Sequence, residues 1–418
     1  MLKKHGRTST GGCPLAWRSG GLDLLQDDPN QGRASRMRPD QDIANLLRFI
    51  VRSDPLDSSQ LSTASTGDVR SRTAFLDLAE RHRLIPLCHA VLTRFGAGLP
   101  SATKLALEAL HNQQTLLNLG RAVELLQVLD AFSEAKIEVM PFKGVALAAL
   151  LYGDLTLRAA GDLDLILHRK DLRQASEIIL ARGYTLATPI RPGGRPVAEN
   201  YDEYHFERQS DGMILELRWR LDFVHPRYAQ DIGLDWMAQR KQFVQLAGAQ
   251  VPVPDAEATL ILLCMHACKH RWSRLNWVCD VAQLLRVTPS LDWAKVQRDA
   301  DKVGLCKAVA LGLILAHRVA GVDIPLQVVR DLDSFPSVKC LADYLEYGIF
   351  YTPGQVPQGL IPYHIRLLDR QDLLRLAFSM HVLKPTQRDQ ELFPLPPSLR
   401  WIHAIIRPFR LLLDRSAR

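Results

Sequence analysis

The chain reads as an α+β protein, a small mixed sheet with one helical region before it and another after it. Three observations predict this. Apolar residues recur at helical spacing from Asp40 to Phe132 and again beyond Asp255. Between these regions, from Ser133 to Arg220, short alternating runs interchange with helical ones. Asp211-Gly212 separates two alternating runs, a strong hairpin signal.

Taken in order, residues 1–39 carry Gly11-Gly12, Gly20-Gly21 and scattered arginines with little periodic hydrophobicity, which predicts a disordered tail. No apolar stretch there suits a secretory signal. Met37 shortly precedes the helical pattern Ile43 to Ile50, so translation from Met37 fits the sequence as well as translation from Met1. Residues 40–132 form the N-terminal helical region, with apolar segments at Phe75 to Ala79, Leu84 to Leu87 and Leu105 to Leu129, punctuated by Pro55 and Pro100. Residues 133–254 make the central α/β core, and a strand pair around Val244 to Val253 closes it at Pro254. Within it, Arg191 to Pro196 is read as a surface loop. Residues 255–418 are helical again, with segments at 255–271, 275–287, 291–303 and 305–320. A last helix, Leu399 to Leu413, mixes arginines with large apolar residues. Pro408 would break a helix lying on a membrane, so this segment is expected to close the helical domain. No uninterrupted apolar run reaches the ~18 residues that span a bilayer.

Chemistry concentrates in the core. Pro141 to Leu167 reads as a strand ending in Lys143-Gly144, a helix, a loop carrying Arg158, and a strand bearing Asp162 and Asp164. A strand alternates its faces, so the two aspartates point one way while Leu163, Leu165 and Leu167 fill the other. Paired carboxylates on a buried strand repel each other and are costly to desolvate unless a divalent cation sits between them. Mg²⁺ is the usual choice, and it brings phosphates with it. In Met213 to Trp219, Ile214, Glu216 and Arg218 share a face. Taken alone, Glu216 is an ordinary surface acid. If its hairpin joins the sheet beside the aspartates, it completes a three-carboxylate cluster for one or two metals.

The composition fits a globular enzyme: 418 residues, 47% hydrophobic and 23% charged, with a net charge of +7 spread along the chain. No RNP, helix-turn-helix or zinc-finger signature occurs, so nucleic acid is not expected as a partner. The seven cysteines are odd in number and several lie in predicted helices, which favours a reducing cytoplasm over a disulfide framework. Cys264, His266, Cys268 and His270 cannot all face one ion from a single helix. The cysteines are expected to pack as small apolar groups, with His266, His270 and Trp272 lining a pocket or capping the sheet.

A glycine at a strand-to-helix turn, an Asp-x-Asp strand and one acid on a later strand resemble the DNA polymerase beta-like nucleotidyltransferase superfamily. More narrowly, several short motifs are similar to the bacterial uncharacterised nucleotidyltransferase family. They are Phe142-Lys143-Gly144, Leu151-Tyr152-Gly153-Asp154, Arg158, Gly161-Asp162-Leu163-Asp164-Leu165 and Glu216 with Trp219-Arg220. The likeness continues in His266 to Trp272, Leu275-Asn276-Trp277, Asp280, Lys384-Pro385-Thr386, Leu395-Pro396 and Arg407-Pro408, so it spans roughly residues 40 to 412. In the wider superfamily Ser or Gly usually follows the glycine, and here Val145 stands there; the narrower family shares this feature.

The resemblance implies a metal-dependent nucleotidyltransferase that moves an NMP from an NTP to an acceptor and releases pyrophosphate. Asp162, Asp164 and Glu216 would be catalytic and hold Mg²⁺, or Mn²⁺ in its place, and Glu216 could accept the acceptor's proton. His205 is a remoter acid/base candidate. Lys143, Gly144 and Arg158 would bind the nucleotide, the glycine by letting backbone approach the phosphates and the cations by their charge. For each cation the structural alternative is pairing with Asp154 or a site acid. The acceptor is a small hydroxylated molecule, a peptide or a protein. The alternative function is a catalytically silent nucleotidyltransferase fold serving as a nucleotide sensor or assembly partner.

Overall fold

A computed structural model describes residues 41–55, 72–95, 99–187, 190–191, 195–196, 203–221, 232–332 and 335–351, with isolated positions beyond. The expected tail and most of Leu399 to Leu413 lie outside the described residues, as do the Lys384-Pro385-Thr386 and Pro408 motifs.

Four helices precede the sheet: α1 (Gln41–Arg52), α2 (Arg72–Arg81), α3 (Ile85–Arg94) and α4 (Ser101–Glu134). The 34-residue α4 starts straight after Pro100, which caps its entry, and stops where Lys136 turns left-handed at φ 57°. Then come β1 (Val139–Pro141), α5 (Gly144–Tyr152), β2 (Leu163–Leu167), α6 (Leu172–Ala181), β3 (Thr185–Leu186), β4 (Ile190–Arg191), β5 (Arg195–Pro196), β6 (Glu203–Arg208) and β7 (Met213–Arg218). A short α7 (Leu234–Ala238) leads to the hairpin β8 (Lys241–Leu246) and β9 (Ala249–Pro254). The chain then runs through α8 (Ala256–Lys269), α9 (Leu275–Val287), α10 (Trp293–Lys302), α11 (Cys306–Ala320), α12 (Leu326–Leu332) and α13 (Pro336–Tyr351).

The main sheet has the order β1-β2-β7-β6-β3. It is mixed: β2 and β7 run parallel, while the β1–β2, β7–β6 and β6–β3 pairs are antiparallel. The Asp211-Gly212 turn closes β6 onto β7 as expected, with Gly212 at φ 68°. Two expectations need correction. Asp162 does not belong to β2 but sits in the bend just before it. Arg191 to Pro196 is not a plain loop, because Ile190 pairs with Pro196 and Arg191 with Arg195 in a small antiparallel hairpin.

One face of the sheet presents Leu163, Leu165, Leu167, Leu215, Leu217 and Phe206 to Val128 and Phe132 of α4 and to Ala175 and Ile179 of α6. Each large side chain so buried contributes about 1.5–3 kcal/mol. Met140, Phe142 and Ile166 on the other face join a second cluster, which unites α1–α3 with α8–α13. The N-terminal helices therefore share a core with the C-terminal ones: α1 packs on α11, and the Arg286 guanidinium donates to the carbonyls of Arg52 and Ala320, both at 3.1 Å. Among the described residues, no helix is long and apolar enough to cross a membrane.

Candidate active site

The second face of the sheet carries a polar patch at β2 and β7. The parallel register of β2 and β7 sets Asp164 opposite Glu216, so two carboxylates stand side by side on neighbouring strands. Asp162, entering from the bend, brings the third. Ligand atoms from Asp162, Asp164 and Glu216 all lie within 4.8 Å of one another. The structure thus brings together the three acids read from the sequence.

Lys143 Nζ donates to Asp164 Oδ1 at 2.9 Å, and Arg218 Nε lies 3.6 Å from the same oxygen. Arg218 also pairs with Glu216 and Glu203. Asp164 Oδ2 is buried without a hydrogen-bond donor. His205, opposite Glu216 in the hairpin, places Nδ1 3.5 Å from Glu216 Oε1.

These neighbours divide the acids electrostatically. Burial would raise the Asp164 carboxyl, but Lys143 and Arg218 outweigh it and hold it below the ordinary value. Asp162 is raised, first by the charge of Asp164 and then by burial. Glu216 is raised by burial and then by Asp164. One acid is held ionised, while the other two hold a proton more tightly than usual. That donor set, hard oxygens with one buried oxygen left without a donor, suits a divalent cation such as Mg²⁺.

Gly144 has a local role that its motif did not reveal. Its φ is +60°, and a Cβ there would lie 2.7 Å from the Asp162 carbonyl oxygen. Only glycine lets α5 start this close to the chain that carries the acids. Gly144→Ala is therefore expected to cost about 1–3 kcal/mol and to weaken Mn²⁺ binding by displacing Asp162. Denaturant unfolding and a Mn²⁺ titration of the same variant check both effects.

Arg158 is occupied by the protein itself. Nε and Nη2 donate to the two oxygens of Asp280 at 2.8 and 2.9 Å, and Nη1 donates to the Gly144 carbonyl at 3.0 Å. This clamp ties α9 to the glycine turn. Of the structural alternatives for the two cations, Lys143 takes a site acid, and Arg158 takes Asp280 rather than Asp154.

The acids open into a 370 Å³ cavity whose far wall comes from α8, α9 and the turn before α3. His266 and His270 line it as expected. Burial, then Lys143 and other nearby cations, lowers His270 to about 4 and pushes His266 well below the usual histidine range, so both are neutral at pH 7. Trp272 does not line the pocket. It is fully buried against Gly312 and donates Nε1–H to Cys268 Sγ at 3.2 Å, while Trp277 takes the cavity position. Cys264 and Cys268 are buried and outside any disulfide, in keeping with an apolar packing role. Sequence reasoning missed Arg83 and Trp277 as cavity residues. Arg83 carried no signal at all, being one cation in a helical stretch.

Residues 70–321 match the sequence pattern of a family described as "Uncharacterised nucleotidyltransferase". Among solved structures, the lincosamide antibiotic adenylyltransferase LnuA, lincomycin-bound, aligns at 13% identity and a TM-score of 0.29 over 40% of this chain and 96% of that one. An antigenic nucleotidyltransferase-like protein from Paracoccidioides brasiliensis aligns at 17% identity and a TM-score of 0.25 over 48% of this chain and 91% of that one. No curated protein matches the chain.

Proposed function

Because this chain belongs to the uncharacterised nucleotidyltransferase family, we propose that it transfers an NMP from an NTP to an acceptor, in a metal-dependent reaction that releases pyrophosphate. The observation that carries this reading is the Asp164–Glu216 pairing across parallel strands with Asp162 beside it, facing a cationic cavity.

Asp162, Asp164 and Glu216 would hold Mg²⁺, or Mn²⁺. Bound there, the ion would neutralise phosphate charge and favour in-line displacement at the α-phosphorus. The chain's own groups do the rest. Lys143 and Arg218 keep Asp164 ionised. Glu216, with its raised proton affinity, accepts the proton as the acceptor oxygen bonds to the α-phosphorus, and the bond to the β-phosphate breaks. His205 stands ready to pass that proton to solvent, being partly exposed beside Glu216. The acceptor is a small hydroxylated molecule, a peptide or a protein.

Calorimetric titration of NTPs with Mg²⁺ or Mn²⁺ tests the proposal on the wild type and on Asp162→Asn/Glu216→Gln, which spares the Lys143–Asp164 pair. Metal-dependent binding that disappears in the variant is expected. A folded wild type that binds no NTP with metal present would leave the silent scaffold as the better description.

A further inference from the structure

We propose that Arg83, Lys269 and Arg274 grip a polyphosphate chain, the tail of the nucleoside triphosphate, so that the phosphates run away from the sheet toward the helical wall of the cavity. This rests on the nucleotidyl-transfer reading and adds to it the residues and the direction.

Six cations line the cavity. Lys143 is taken by Asp164, Arg158 by Asp280, and Arg218 by Glu216 and Glu203. The sheet-side cations are thus committed to holding the protein's own acids. Arg83, Lys269 and Arg274 are half-buried, and their side chains make no hydrogen bond or direct ion pair among the described residues. Arg274 lays its guanidinium over the Trp277 ring, 5.7 Å from the centroid, which leaves its N–H groups, like the charged ends of Arg83 and Lys269, to a bound anion.

The place is built rather than incidental. Arg83 follows α2 and Arg274 precedes α9, and a shared junction ties the two turns together. His82 Nδ1 accepts the Leu275 N–H at 3.2 Å, and the His82 carbonyl accepts the Asn276 N–H at 3.3 Å. Each arginine is therefore covalently next to an anchored residue. Arg83 also occupies a left-handed position at φ 56°, closing α2 through Leu84 N–H to Ala79 O at 2.7 Å, where glycine is the residue at ease. An arginine held there against its backbone preference points to a use for its guanidinium. Gly161 makes room for that group: a Cβ at Gly161 would lie 2.9 Å from Arg83 Nη1 and 3.1 Å from Nη2. The guanidinium consequently rests against the chain immediately before Asp162. This polarises the cleft, with phosphates on the Asp162 side and the Glu216–His205 side left to the acceptor.

The test uses inorganic tripolyphosphate with Mg²⁺ as the calorimetric probe, on the wild type, Arg83→Gly and Arg83→Gly/Arg274→Gln, with Mn²⁺ binding followed separately. Arg83→Gly suits the left-handed turn, so it keeps the fold while removing the charge. Expected are a loss of about tenfold or more in tripolyphosphate affinity for the single variant, a larger loss for the double, and a Mn²⁺ affinity that does not fall, since a cation beside Asp162 is removed. Equal tripolyphosphate binding by wild type and double variant overturns the inference, as does absence of binding by the folded wild type. NTP binding that still depends on Asp162 and Glu216 would, in either case, leave the nucleotidyl-transfer reading standing.

Discussion

Asp164→Ala is expected to abolish nucleotidyl transfer and to destabilise the protein, whereas Asp162→Asn abolishes transfer and leaves a more stable one. Both remove a proposed metal ligand, and each should lower the rate by at least about 10²–10³-fold, the scale of a lost transition-state stabiliser. Their structural consequences part because their partners differ. Asp164 is 1% exposed and neutralises Lys143 and part of Arg218, so its removal strands buried cations at a cost of about 3–5 kcal/mol. Asp162 faces the charge of Asp164, so its neutralisation relieves repulsion and gains about 0.5–2 kcal/mol in the metal-free protein.

The pH dependence follows with opposite signs. The raised carboxyls of Asp162 and Glu216 bind protons more tightly folded than unfolded, so their favourable contribution is full at low pH and lost as pH rises through their folded values. The lowered Asp164 contributes above the ordinary Asp range, and that contribution is lost as pH falls through its depressed value. Melting temperatures against pH, with and without Mn²⁺, check this directly. Metal should stabilise the wild type more as pH rises, and it should not stabilise Asp162→Asn to the same extent. A metal-free Asp162→Asn less stable than wild type at pH 7 would contradict the account.

Breaking the Arg158–Asp280 clamp should give the second large effect. Arg158→Met or Asp280→Leu alone leaves one member of a buried pair uncompensated, the side chains being 10% and 1% exposed, and should cost about 3–5 kcal/mol. The double variant Arg158→Met/Asp280→Leu should recover most of that loss, since an apolar pair of similar volume avoids the desolvation cost. Activity should not return with stability, because the bond from Arg158 to the Gly144 carbonyl is still gone. Urea unfolding of the four proteins forms a double-mutant cycle. A coupling energy near zero would show that Arg158 is not chiefly a clamp.

Much of the core was legible from local pattern. The period-two runs predicted β6, β7 and the leucine face of β2, and Asp211-Gly212 predicted the turn between β6 and β7. Helical spacing predicted α8 to α11 to within a few residues; in the structure Asp255 and Asp292 cap two of them, accepting from the N–H groups of Ala258 and Lys295. The hairpin at Ile190 to Pro196 was missed because Pro-Gly-Gly signals a turn without saying whether the flanks pair. Asp162 was assigned to the strand because alternation alone does not mark where the ladder stops.

Residue order by itself determined which side chains share a face, since strand and helix periods are set by backbone dihedrals over a few residues. That was enough to single out Asp162, Asp164 and Glu216. Only the tertiary structure decided that β7 lies parallel to β2 in the register that sets Glu216 beside Asp164. It alone decided that Arg158 pairs with Asp280 at the cavity wall and that Arg83 joins it in the lining. Register and charge pairing depend on groups tens to hundreds of residues apart, and they are settled by which packing buries the leucines and compensates each buried charge.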